Sequence, residues 1–448
     1  MLAMSIRNVR SWLCWQMKPV AYRLVGIGFL LLLGLAACGK TQTPPDPTAT
    51  PTPESLATPT VAPIAVVDPK VTAPTEHQLV IWAPPFFDAQ PDANAGNILH
   101  AMYRQFEQAN PGVHVDVHIK AETGETSMFN YLRSAQRVAP TILPDIVLID
   151  TQYLWQIVEL DLVHPITIEN LGPKLSFYPF AINAVTFKQQ QYGIPYVADV
   201  IHAVYASNIY TTTPTTWEPL LAAKRPFLFP AGLRDGFYDD SLLLQYVGAG
   251  GQLLENGEVS NPDAATAFLT FLTQAKSAGV IPDDALTLSN LDAAWAEFSS
   301  GQVSAVNTSA SLYLGQPKPA DTLKFGPAPT LKGTNVTIAR TWAFAILTND
   351  AQRRQLAMQL IARFLEPGLQ GRWSQLANRL PTSANAFVQW PATDPYHQFL
   401  RRELDVAQAV PNGRPFAEFA KHLQTVQQAV LHGQMTVKDA VTQLRAKP

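Results

Sequence analysis

With nine tryptophans, 13 tyrosines and 21 phenylalanines but only two cysteines, this 448-residue chain carries its chemical potential in rings, carboxylates and guanidiniums rather than in thiols. In "VHVDVHIK" (residues 113–120) the period-2 spacing sets His114, Asp116 and His118 on one strand face. Two imidazoles and a carboxylate can hold zinc or iron. The opposite face, Val113, Val115, Val117 and Ile119, is however the one to be buried, and the polar face ends in Lys120, a cation unwelcome beside a metal. No metal site is expected. There is no G-x-S-x-G, no H-E-x-x-H and no phosphate loop, since Gly248–Gly251 lacks the lysine and hydroxyl residue that would follow. Carboxylates are scattered, and nothing marks a pair such as a glycosidase uses. No catalytic residue and no cofactor are expected; a secreted glycoside hydrolase is the distant alternative.

What remains is a set of rings and polar groups near strand ends. Trp82 closes the first strand at its C-terminal end, where open α/β sheets bind ligands, although a core tryptophan would read the same. Phe86 and Phe87 are adjacent, so one faces a cleft and the other packs. Asp150 ends a buried strand, where it either meets a ligand or caps the following helix, and Thr151 shares that loop. A pyranose presents an apolar face and a polar edge. Rings cover the first, while carboxylates, amides and Arg bond the second. Such a ligand suits this residue set.

The elements ahead of these residues address the chain to a membrane. Residues 24–35 are apolar or glycine, shorter than the roughly 20 residues a spanning helix needs. Cations precede the run (Lys18, Arg23) and small residues follow it, which is the pattern of an export signal over residues 1–37. Met17 would give that signal a more usual length than Met1. Leu35-Ala36-Ala37-Cys38 resembles the lipobox of bacterial lipoproteins, which implies acylation of Cys38 and membrane attachment through its lipid. Residues 38–75 are rich in Pro and Thr and contain no aromatic residue, so they cannot bury enough surface to fold. As an extended tether they reach on the order of 100 Å.

The remaining 373 or so residues exceed what one core of about 250–300 residues usually holds, so two lobes are expected. A net charge of −3 excludes the basic stripe of a nucleic-acid binder. "HQLVIWA" (77–83) reads as a buried strand, 96–110 as a helix broken by "NPG", 113–120 as a half-exposed strand and 143–150 as a strand buried on both faces. This alternation predicts a parallel sheet covered by helices. Residues 191–207 read as a strand pair interrupted by proline. Further helices are expected over 262–278, 291–299, 352–365 and 416–431, and Thr436 with Asp439 as a capping box.

In order along the chain, "LVIWA", "FEQANPGVHVDV", "LPDIVLIDTQYLWQIVELDLVHPI", "QYGIPYVADVIHAVYAS", "PTTWEPLLAA", "AAWAEFSSGQVSAVNTSASLYL" and "RTWAFAILTND…NRLPT" resemble motifs of the family 1 extracellular solute-binding proteins of ABC importers, which include maltose-binding protein. The resemblance covers nearly all of residues 77–446. It implies a two-lobed α/β fold of the periplasmic-binding-protein type II class. Lobe 1 would comprise 76–198 with 341–388 and lobe 2 would comprise 199–340 with 389–448, joined by three crossings near 196–202, 340–344 and 386–393. It further implies a monomer on the extracytoplasmic face of the membrane that carries a small solute, a sugar or oligosaccharide by default, to permease subunits. A sensory lipoprotein, or a binder of polyamine or peptide, is the alternative. Mapped this way, Tyr196, Asp199 and His202 lie in the first crossing, with His202 more often a structural residue. Arg340 and Trp342 lie in the second, and Asn307 and Tyr313 follow the "VSAVN" strand. Residues 308–311 lack the stacking tryptophan usual there, which argues against maltodextrin-like stacking.

Overall fold

The structure is a computed structural model that describes residues 77–89, 94–171, 175–232, 240–316 and 322–446. The export signal, the tether and Cys38 lie outside the described residues. Among the described residues twelve strands run in chain order: β1 (His77–Ala83), β2 (Val113–Ile119), β3 (Ile146–Asp150), β4 (Thr186–Phe187), β5 (Gln190–Gln191), β6 (Ile194–Ala206), β7 (Phe227–Leu228), β8 (Ala305–Ser309), β9 (Leu323–Gly326), β10 (Thr337–Ile346), β11 (Leu380–Pro381) and β12 (Ala407–Ala409). β4 and β5 form a separate ribbon, and the main path through the others is β2-β1-β3-β10-β6-β8-β7. All described residues belong to one compact unit, residues 71–448.

β1 pairs in parallel with β2 and β3, as the strand–helix alternation predicts. The expectation of a parallel sheet fails at β10, which is antiparallel to both β3 and β6. Its return direction comes from a distant part of the chain, beyond the reach of local alternation. Residues 191–207 are likewise one 13-residue strand, β6, rather than a broken pair. Pro195 stands one residue inside the strand start, and the pairing of β6 with β10 shifts register beside it, between Trp342 and Ala343. An irregularity there removes the need for the N–H that proline lacks.

Three apolar cores form around these strands. The first joins Leu79 and Ile81 of β1 and Ile146–Ile149 of β3 to Leu99, Phe106, Phe344 and Phe364. The second joins Ala203–Tyr205 of β6 to Trp217, Phe268, Leu272, Trp295 and Leu423. A smaller third core gathers Tyr178, Phe180, Trp390, Tyr396 and Phe399 against Ala198, Val200 and Ala339. β6 threads them, sending Tyr196 and Val197 into the first core and Val204 and Tyr205 into the second. β10 does the same, with Ile338 in the second core and Trp342–Ile346 in the first. The first two cores are thus joined by strands whose two ends are anchored in different cores.

Helix positions follow the sequence pattern closely. Leu291–Ser299 starts at the N-cap Asn290, whose side chain accepts from the Ala293 N–H. Val437–Arg445 starts at Thr436, whose hydroxyl accepts from the Asp439 N–H and donates to the Asp439 carboxylate at 2.7 Å. Each such bond satisfies an otherwise orphaned terminal group.

Candidate ligand-binding site

The sheet register places four of the sequence-selected residues side by side. Trp342 lies opposite Asp150 across β10 and β3, and Arg340 lies opposite Asp199 across β10 and β6. Period-2 alternation puts Ile338, Arg340 and Trp342 on one face of β10, and all three line a cavity of about 380 Å³. Asp199, Val200 and Ile201 of β6 continue its floor.

One wall lies on the side of the first core. Glu122 and Thr123 reach it from the loop after β2, and Arg379 from the turn before β11. Trp342 Nε1–H donates to Glu122 Oε2 at 3.2 Å. The Phe86 ring meets Trp342 edge-on at 5.4 Å, and the Arg379 guanidinium lies 4.6 Å from the Phe86 ring centre and 5.6 Å from that of Trp342. Arg340 reaches the same indole at 5.8 Å. Ring quadrupoles attract such cations, so Trp342 is a hub for two guanidiniums rather than a bare stacking plate.

The other wall is built from helix starts on the side of the second core. Asp240 and Ser241 begin helix Asp240–Gly248, Asn290, Leu291 and Asp292 begin helix Leu291–Ser299, and Ser309 and Ser311 begin helix Ala310–Leu314. Asp199 is committed to this wall. Its Oδ1 accepts from the Ser311 and Val200 N–H groups at 3.0 Å, and its Oδ2 accepts from the Ser311 hydroxyl.

The charges are arranged around Arg340. Its Nε–H donates to Asp150 Oδ2 at 2.6 Å. Burial disfavours the cation, but the charges of Asp150, Asp240 and Glu122 outweigh that and hold it firmly protonated. Burial raises the Glu122 carboxyl above its ordinary value; Arg340 opposes the rise, Asp150 adds to it, and Arg379 and the indole N–H oppose it.

Asp150 and the remaining sequence-selected residues lie behind this cavity or away from it. Asp150, buried behind Arg340, also caps the turn Thr151–Tyr153 by accepting from the Gln152 N–H at 3.0 Å. Thr151 is buried at the start of that turn. Trp82 packs in the first core, edge-on to Tyr131 at 6.4 Å with the Lys120 ammonium 4.9 Å above it. Tyr196 is fully buried, stacked on Trp373 at 5.1 Å. Asn307 is fully buried in β8. His202 accepts from the Tyr396 hydroxyl at 2.7 Å, and burial pushes its pKa down to about 4, so it stays neutral inside the molecule. Tyr313 meets Tyr396 at 4.4 Å and lines a different, larger groove of about 1250 Å³ against the third core, together with Trp295, Phe298 and Phe325. That groove exposes more apolar than polar surface, with Arg225 and Asp394 as its charged groups. The smaller cavity, with charged, amide and hydroxyl groups from both lobes, is the site by its chemistry. Among the described residues no cluster of His, Cys, Asp and Glu could hold a metal ion.

The residues that sequence reasoning missed are Glu122, Asp240, Ser241, Asn290, Ser309, Ser311 and Arg379. Asn290 was readable as an N-cap, and residues 308–311 as a departure from the expected pattern. The others carried no local signal.

Comparisons with known proteins agree with this geometry. A sequence search of curated proteins found no match. The model of a family described as bacterial extracellular solute-binding protein matches residues 101–397, more than half of the chain. The fold is similar to that of maltose-bound MalE3 from T. maritima, with TM-score 0.66 and 17% identity, covering 82% of this chain and 98% of that one. It is also similar to the sugar-binding protein MalE from Xanthomonas citri, with TM-score 0.65 and 20% identity over 82% and 95% of the two chains. An ABC transporter solute-binding protein from Thermotoga lettingae TMO bound with alpha-D-tagatose gives TM-score 0.65 and 19% identity over 82% and 97%. With that family model spanning well over half of its length, the chain belongs to the bacterial extracellular solute-binding proteins.

Proposed function

We propose that this solute-binding protein of an ABC transporter takes a small sugar, a mono- or disaccharide, in the cavity beneath Trp342. It is a binding protein, not an enzyme, and its family works outside the cytoplasm. The observation that carries the sugar reading is the convergence of an indole, two guanidiniums and the polar starts of three helices on about 380 Å³. That volume lies at the small end of the roughly 300–1,000 Å³ typical of ligand sites, which favours a short ligand over a long oligosaccharide. Neighbouring folds bound to maltose and to tagatose support the same class. The lobes would divide near 198–199, 340–341 and 388–389, and closing them on the ligand would make the shape that the permease reads. An acyl group on Cys38 and the tether would hold this monomer beside the membrane.

Thermal denaturation of the full-length protein tests the ligand class, with neutral and acidic mono- and disaccharides, spermidine and a tripeptide as probes. A bound ligand at a hundred times its Kd adds about 2.7 kcal/mol of stability. A sugar is expected to raise the midpoint. Stabilisation by spermidine or the peptide, with every sugar silent, would end the carbohydrate reading.

A further inference from the structure

Of the charged groups that line the cavity, Asp292 and Arg379 make no ion pair among the described residues, and Arg379 is the cation of the two. Asp150 is paired to Arg340, which Asp240 and Glu122 also surround. Asp199 is held by Ser311 and Val200, and Glu122 takes the Trp342 N–H. Arg379 makes no ion pair among the described residues. Its Nη1 donates only to the neighbouring Asn378 carbonyl at 3.3 Å, and its Nε is buried with no partner there. The guanidinium is nevertheless fixed, because Phe86 and Trp342 pack against its plane. An ordered guanidinium that lines a cavity with no carboxylate bonded to it is suited to a planar carboxylate, which accepts two parallel N–H bonds. A hydroxyl group would leave most of that donor capacity unused.

From this fork we infer that the solute is an acidic sugar, a uronic or aldonic acid, whose carboxylate pairs with Arg379 while its hydroxyls meet Asn290, Ser241 and Ser309 across the cavity. The inference rests on the sugar reading above and narrows it. It also accounts for the absence of a stacking tryptophan at residues 308–311. A ligand held by an ion pair at one end depends less on ring stacking at the other.

Titration calorimetry of the full-length protein with D-galacturonate, D-glucuronate, D-galactose, D-glucose and D-glucosamine tests it, on wild type and on Arg379→Met. Wild type is expected to bind one of the uronates at least tenfold more tightly than the neutral sugar of the same ring. Arg379→Met is expected to bring that ratio close to one. Arg379→Lys keeps the charge without the fork; its expected intermediate ratio serves as the readout if the methionine variant does not fold. Neutral sugar or glucosamine binding as tightly as uronate would overturn the inference and leave the sugar reading standing. A uronate preference that survives in both variants would also overturn it. Silence from all five sugars would count against both.

Discussion

Arg340 is the residue on which the charge arrangement turns. Its Nε–H meets a buried carboxylate at 2.6 Å, so removing it leaves the Asp150 side chain buried without its ion-pair partner. Breaking a buried pair from one side costs about 3–5 kcal/mol, whereas replacing both partners with neutral groups is often nearly neutral. Arg340→Met should therefore lose roughly 3 kcal/mol of stability, and Asp150→Asn added to it should recover most of that. Urea unfolding of the two variants measures this. If Arg340→Met were as stable as wild type, Asp150 would not depend on its partner. The pair was only half legible in the sequence. Asp150 was marked by its place at the end of a buried strand and Arg340 by the family-like motif around it, but that they meet is a matter of antiparallel register between β3 and β10, 190 residues apart. Arg379, by contrast, sits in a turn with no periodicity to mark it.

At the scale of elements, helix Pro395–Val406 holds two titrations of opposite sign against the hinge strands. Glu403 is buried, accepts from Asn335 Nδ2 at 3.0 Å, and burial lifts its pKa from 4.5 to about 7 against the opposing Asn335 bond and Arg402. Its folded pKa is raised, so its stabilising contribution is complete below pH 4.5 and is lost as pH climbs through about 7. His202, bonded to Tyr396 of the same helix, has its pKa lowered from 6.5 to about 4, so its contribution is present above pH 6.5 and lost as pH falls toward 4. Each shift corresponds to about 3 kcal/mol at most at 1.36 kcal/mol per unit, and between pH 4.5 and 6.5 the two slopes oppose each other. Glu403→Gln should raise the melting point above pH 7 and uncover a steeper loss of stability from pH 6.5 down to 4. Melting curves against pH check it, and a wild-type-like profile would mean that Glu403 is ionised in the folded protein. Most elements were legible beforehand, because β1, β2 and the helices over 262–277 and 291–299 are set by apolar spacing and caps. β6 was read as two strands because proline is a local signal, while its pairing with β10 and β8 is not.

For the whole molecule, the central claim is that one small ligand is gripped by both lobes at once. The two strands that thread the cores also floor the cavity, so a ligand that touches Arg379 and Trp342 on one side and Asn290 and Ser311 on the other ties the cores together. The two-lobed plan was legible from chain length and from the order of the family-like motifs. The wall made by Asp240, Asn290 and Ser311 was not, because three helix starts separated by tens of residues converge only in the fold. Among the described residues no helix is long and apolar enough to cross a membrane. Hydrogen–deuterium exchange with and without the most stabilising sugar tests the claim most directly. Slowed exchange is expected in residues 121–127, 199–201 and 377–380 together with 240–243 and 289–293. Protection of one lobe alone, or of residues 313–316 and 322–325 in the larger groove instead, would contradict it.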